Sequence, residues 1–220
     1  DDISFSDEKL IELKEEVKIQ EQKTIKLAKK LSDLRKKTAK DFSHKVCAEL
    51  KYLDMPHIQF VVDFKEVALC ENGIDSAEFL ISANVGEEPK ALTKIASGGE
   101  LSRIMLALKA MRARFANMPT MIFDEIDTGV SGSVADKMGT MICEMGAYMQ
   151  VFAITHLPQV AAKGSAHYLV TKDIDASADK TVSTIKRLSA DERVLEVARM
   201  LSGSALTDAA IANAKSLLSI

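Results

Sequence analysis

At 220 residues the chain has room for one α/β domain and an extension, and is too short for several large domains. Hydrophobic residues at 47% and charged residues at 28% supply a packed core and a solvated surface, which argues against long disorder; 5% aromatics with no Trp argue against a platform for stacking nucleobases. The net charge of −3 excludes a generally basic nucleic-acid binder but not a local basic patch.

No apolar run approaches membrane-spanning length, and no signal peptide opens the chain. It starts Asp1-Asp2 without an initiator Met and is expected to be part of a longer protein. Cys47, Cys70 and Cys143 have neither metal-ligand nor disulfide spacing, so each is expected to be a core thiol in a reducing cytosol.

Residues 1–55 read as one long helix. Apolar and small residues recur in heptads, Leu10, Val17, Thr24, Leu31 and Thr38 in one register and Leu13, Leu27 and Leu34 in the other, with Gln20 and Asp41 interrupting the second. No Gly or Pro intervenes before Pro56. So narrow a seam suits a partner helix in a coiled coil better than the surface of the chain's own domain. Acids crowd the first turns, whereas Lys23, Lys26, Lys29, Lys30, Arg35, Lys36, Lys37 and Lys40 face only Asp33 over residues 23–40. This basic run is either a solvated face or a stripe that meets phosphates.

After Pro56 the period changes. Ile58, Phe60, Val62 and Phe64 alternate with more polar neighbours, as do Ala77, Phe79, Ile81 and Ala83, which predicts an antiparallel pair around the Asn72-Gly73 turn. A helix is expected over 97–115, burying Leu101, Ile104, Met105, Leu108 and Met111. Buried strands at 120–123 and 151–155 flank a helix at 133–149. Further strands are predicted at 168–170 and 182–188 around a polar turn, then helices at 191–201 and 207–218. Strands alternating with helices imply a mostly parallel sheet covered on both faces.

Three motifs carry chemistry. Ser97-Gly98-Gly99-Glu100 opens the first of these helices. Ser97 and Glu100 have capping-box spacing, which is a structural reason for both. The glycines need another: each costs about 1 kcal/mol in a helix interior, and what they give is bare backbone N–H groups that an anion can approach. Next, the apolar strand Met121-Ile122-Phe123 ends in Asp124-Glu125, followed by Ile126-Asp127. Ligands of open α/β sheets gather at such strand ends, where an Asp can hold Mg2+ on a nucleoside triphosphate and a Glu can orient or deprotonate water. Third, Thr155-His156 closes the following strand, so both strand ends are expected to open onto one crevice. No Gly is followed by Lys, so the chain has no phosphate-gripping P-loop of its own.

In order and approximate spacing these motifs resemble those of ABC-type ATPases. Ser97-Gly98-Gly99-Glu100 is similar to the signature motif, with Ala96 in place of the usual Leu; Asp124-Glu125 resembles the Walker B end, Ile126-Asp127-Thr128-Gly129 the D-loop, and His156 the switch histidine. The wider strings Ile95–Lys109, Ile122–Gly132 and Thr155–Ala162 resemble the coiled-coil DNA-repair branch of that family, relatives of the SMC ATPases. The resemblance implies the C-terminal lobe of an ABC-type ATPase head over 56–220, with a mostly parallel sheet, preceded by a returning coiled-coil arm over 1–55. It implies ATP and Mg2+ as cofactors, Asp124 as metal ligand and Glu125 and His156 as catalytic residues. Ser97, Gly98, Gly99, Glu100 and Asp127 would be nucleotide-binding. The implied partners are an N-terminal Walker A part of the same protein, a second head in a homodimer, and DNA; no membrane is implied, and the setting would be cytoplasmic and nucleoid-associated. Without Walker A the chain alone is expected not to turn over ATP. The competing readings are an ABC transporter ATPase subunit and a non-catalytic dimerisation fragment.

Overall fold

A computed structural model describes residues 2–95, 97–175, 180–203 and 206–220. Contacts divide the chain into two compact units, one of Asp1–Ala48 with His57–Lys94, the other of Glu49–Pro56 with Ile95–Ile220. No described helix is long and apolar enough to cross a membrane.

The first unit pairs most of a long helix with a hairpin. Helix α1 spans Asp2–Tyr52; strands β1 (Gln59–Cys70) and β2 (Gly73–Ser82) run antiparallel, and the short β3 (Lys90–Ala91) adds to β2. Glu71-Asn72 makes the turn, and Gly73 follows at φ +103°, a left-handed conformation that suits glycine. A stripe of α1 that the heptads do not mark carries the hairpin. Ser32 donates to Asp75 at 2.8 Å, and Arg35 donates to the Asn72 carbonyl at 2.8 Å while pairing with Asp75. Further along, Phe42 packs against Phe60 and Phe79 with ring centroids 5.8 and 5.9 Å apart. The heptad residues Leu10, Leu13, Val17, Leu27, Leu31 and Leu34 are all exposed, so the seam is left uncovered.

The second unit is built around helix α2 (Gly98–Ala116), strand β4 (Thr120–Asp124), helix α3 (Gly132–Met145) and strand β5 (Gln150–Ile154). Strands β4 and β5 pair in parallel, Met121 opposite Val151 and Asp124 opposite Ile154. One face of this pair is packed: Met121 and Phe123 join Leu53, Leu106, Ala110, Met138, Met141 and Met145 in one core. Its other face is open, with Ile122 61%, Phe152 47% and Ile154 55% exposed. The strands expected to be buried are therefore covered on one side only. A short helix α4 (Pro158–Lys163), which the sequence does not announce, follows with Pro158 at its start. Strands β6 (Tyr168–Asp175) and β7 (Lys180–Arg187) form a separate antiparallel pair; the polar turn expected between them falls at 176–179, outside the described residues. Helices α5 (Ala190–Ser202) and α6 (Asp208–Leu218) pack on each other through Val194, Val197, Ala198, Ala210 and Ala214.

Three expectations need correction. Leu101 is exposed, and α2 buries Leu106, Ala107, Ala110 and Ala113 beside Ile104 and Met111, because a strip of small side chains lets the helix approach closely. Helix α3 stops at Met145 rather than 149, where Gly146 caps it through Ile142 and Cys143 carbonyls. Of the three thiols expected in the core, Cys70 and Cys143 are exposed and Cys47 is half-buried.

Candidate functional site

The N-terminus of α2 is capped by Ser97, whose Oγ accepts the Glu100 N–H at 3.4 Å. The reciprocal bond from Glu100 is not made, and among the described residues the closed two-way capping box is the one at Ser189–Glu192. The two glycines differ. A side chain at Gly98 would meet nothing within 4 Å, so its backbone faces open space. Gly99 is buried, and a Cβ there would lie 2.5 Å from the Gly129 carbonyl oxygen. Gly129, at φ +74°, has a matching need, since its own Cβ would stand 3.1 Å from the Gly99 nitrogen. Gly98 thus presents bare backbone, while Gly99 packs closely against the loop after β4. Ser102 donates to the Thr128 carbonyl at 3.4 Å across the same contact.

That loop begins where β4 ends. Asp124 and Glu125 are both exposed at the carboxyl end of the strand. Glu125 sits at φ +48°, and its N–H donates to the Ile154 carbonyl at 3.2 Å, which ties the end of β4 to the end of β5. Thr128 closes the turn by donating its N–H and its hydroxyl to the Glu125 carbonyl, at 3.2 and 2.9 Å.

Asp127 stands apart from its acidic neighbours because its side chain is 0% exposed. One carboxylate oxygen accepts the Thr155 hydroxyl, and that hydroxyl oxygen accepts the Leu157 N–H at 2.9 Å. The other oxygen has no hydrogen-bond partner and faces His156, whose Nδ1 is 3.8 Å away. The paired ends of β4 and β5 thus place Asp124 and Glu125 at one strand end and His156, beside Asp127, just after the other. Ser97 and Gly98 join this group only indirectly, through the contact of Gly99 with Gly129.

Arg103 is not singled out by its sequence pattern. Its Nε donates to the Gly99 carbonyl at 3.1 Å, and its guanidinium reaches the Leu53 and Asp54 carbonyls at 3.2 and 3.4 Å. The start of α2 is thereby tied to the residues that follow α1. The signal available in the sequence is its place one helical turn after Gly99. Asp54 is held in turn by Lys137, whose hydrogen bond pulls the carboxyl below its ordinary range, and by Ser133.

The chain shares its fold with SMC head domains. The head of Smc from Pyrococcus yayanosii, solved with a coiled coil and joint, matches 77% of the chain and 31% of its own at TM-score 0.60 and 18% identity. A structure described under ATP-driven dimerization and DNA-stimulated activation of SMC ATPases matches 79% of the chain and 99% of its own at TM-score 0.53 and 17% identity. No family model matches the chain. Sequence relatives are more specific. The DNA repair protein RecN of Bacillus subtilis is 39% identical over 99% of the chain, and RecN of Vibrio cholerae 37% identical over 98%. The chain belongs to the RecN family and matches the C-terminal part of its members. It spans about two fifths of the length of these relatives, 40% and 39%.

Proposed function

We propose that the chain is the C-terminal head portion of an ATP-dependent DNA repair protein, in which residues 1–55 serve as the returning arm and 56–220 as the lobe that carries the signature and Walker B motifs. The observation that carries this reading is the paired ends of β4 and β5, where exposed Asp124 and Glu125 are tied by the Glu125–Ile154 hydrogen bond to the strand that His156 follows two residues on. Relatives named as DNA repair proteins along nearly the whole chain favour it over a transporter subunit.

The residues present fit ATP and Mg2+. Asp124 offers an exposed carboxylate at a strand end, and Gly98 leaves the N-terminus of α2 unobstructed for a phosphate. Asp124 would hold the metal. The bound metal would neutralise phosphate charge. Glu125 would accept a proton from the attacking water, His156 would face the terminal phosphate, and Ser97, Gly98 and Glu100 would meet the nucleotide of a second, opposing head. Gly99 supports that surface from behind. The uncovered Ile122–Phe152–Ile154 face is an apolar surface for the N-terminal part of the same protein, which would bring the missing Walker A loop. DNA would lie along the basic run, where every lysine from Lys23 to Lys40 is exposed.

Two variants of the complete protein test the two halves of this reading. Glu125→Gln keeps the side chain's shape but cannot take a proton, so ATP hydrolysis should fall roughly 10²–10⁴-fold with ATP binding retained. Loss of binding would assign Glu125 another role. Reversing Lys29, Lys30, Lys36 and Lys37 to Glu should weaken binding to every duplex alike and flatten its salt dependence, by about 0.9 in log–log slope for each DNA phosphate no longer neutralised. An unchanged slope would return the run to a solvated helix face.

A further inference from the structure

Asp127 is the one fully enclosed carboxylate among the described residues, which does not suit a group that reaches out to a nucleotide. A charge in such a place persists only where hydrogen bonds or a cation answer it. Thr155 answers one oxygen. Because the Thr155 oxygen already receives the Leu157 N–H, its own proton is directed to Asp127, and the chain Leu157–Thr155–Asp127 has one sense. The second oxygen is left open toward His156 Nδ1 at 3.8 Å. The His156 side chain is 67% exposed. A turn that brings Nδ1 to about 2.8 Å completes the hydrogen bonding of the buried carboxylate.

We propose that Asp127 is a positioning residue for His156: its open oxygen takes the Nδ1 proton in a hydrogen bond, fixes the ring's tautomer and leaves Nε2 turned outward at the paired ends of β4 and β5. A carboxylate behind an imidazole sets which ring nitrogen carries the proton, and the exposed nitrogen then has one defined character. Thr155 is part of the same device, because it holds the carboxylate in the orientation that leaves the second oxygen free. This deepens the proposed function and rests on its reading of His156 as a residue of the catalytic site.

The test reads the ring directly. Imidazole ¹⁵N resonances of the 220-residue chain are recorded at a pH where the ring is neutral, and His156 is identified by the signal that disappears in His156→Gln. The proton should sit on Nδ1. In Asp127→Asn the amide keeps the shape; its oxygen receives the Thr155 proton and its NH2 faces the ring, so the proton should move to Nε2. A wild-type ring protonated on Nε2, or the same tautomer in both chains, overturns the proposal. The wild-type spectrum decides even if the variant does not fold. In the complete protein, Asp127→Asn should change kcat, because the exposed face of the ring then carries Nε2–H in place of a lone pair. The double variant with His156→Gln should be no slower than His156→Gln alone, and additive losses would show that Asp127 acts elsewhere. A wild-type protein without ATPase activity would sink the proposed function, whereas the tautomer would still decide what Asp127 does to His156.

Discussion

Two helices of the second unit begin with the same spelling, Ser-x-x-Glu, and end up differently. At α5, Ser189 and Glu192 close on each other: Ser189 N–H donates to Glu192 at 2.9 Å, Ser189 Oγ accepts the Glu192 N–H at 3.3 Å, and Lys186 holds the remaining carboxylate oxygen. At α2 only the Ser97 half is made, and the glycines between the two residues leave one side of the turn bare. At the first start the serine and the glutamate are committed to each other and to Lys186. The second is left with unspent donors at a positive helix end, the arrangement that suits an anion arriving from outside. One pattern in sequence thus serves stability in one place and recognition in the other, and the residues between Ser and Glu decide which.

The largest effect expected from breaking this contrast lies within the glycine pair. Gly99→Ala drives a methyl group into the Gly129 backbone and should lower unfolding free energy by about 1–3 kcal/mol. Gly98→Ala meets nothing and should raise it, by at most about 1 kcal/mol, because alanine is the better helix former. Urea unfolding of both variants measures the opposite signs; equal effects would mean that the close approach of Gly99 to Gly129 does not constrain the fold. A smaller difference separates the caps. Ser189→Ala should cost about 1 kcal/mol and Ser97→Ala about half that, since its bond is long and unreciprocated. Thermal unfolding checks the order, and a larger loss at Ser97 would contradict it.

The smallest effect is on acid stability. Lys186, then the Ser189 backbone and hydroxyl, pull Glu192 from 4.5 down to about 2. A carboxyl lowered on folding stabilises the fold above its unfolded value and loses that share as pH falls from 4.5 toward about 2. Glu192→Gln should therefore flatten stability against pH in that window alone. His167 acts in a separate window. Burial first, then Arg193, lowers its value from 6.5, so the folded state favours the neutral ring and stability falls as pH drops below 6.5. An acid titration in which Glu192→Gln altered the higher window would refute the assignment.

Much of this is legible in the sequence because it depends on period and punctuation. The long helix, the hairpin about Asn72-Gly73 and the β–α–β rhythm of the second unit follow from apolar spacing and turn residues, and the strand-end acids from where an apolar run stops. What stays hidden depends on three-dimensional neighbours. The hairpin rests on Ser32, Arg35 and Phe42, a stripe too polar to register as a buried face. Gly98 and Gly99 look alike until Gly129 is placed beside one of them. Asp127, which the resemblance casts as nucleotide-binding, gives no sign in the sequence of being enclosed; only the return of β5 puts Thr155 over it. Helix α4 is too short for a period, and Arg103 shows its role only once Leu53, Asp54 and Gly99 lie within reach.

The backbone at Glu125 lies at φ +48°, where a residue with a side chain costs roughly 1–2 kcal/mol more than glycine would. The position is therefore one at which durability and turnover pull in opposite directions. Any search for sturdier versions of this protein that ranks substitutions by melting temperature would favour glycine at 125, and would discard the carboxylate on which the proposed chemistry rests.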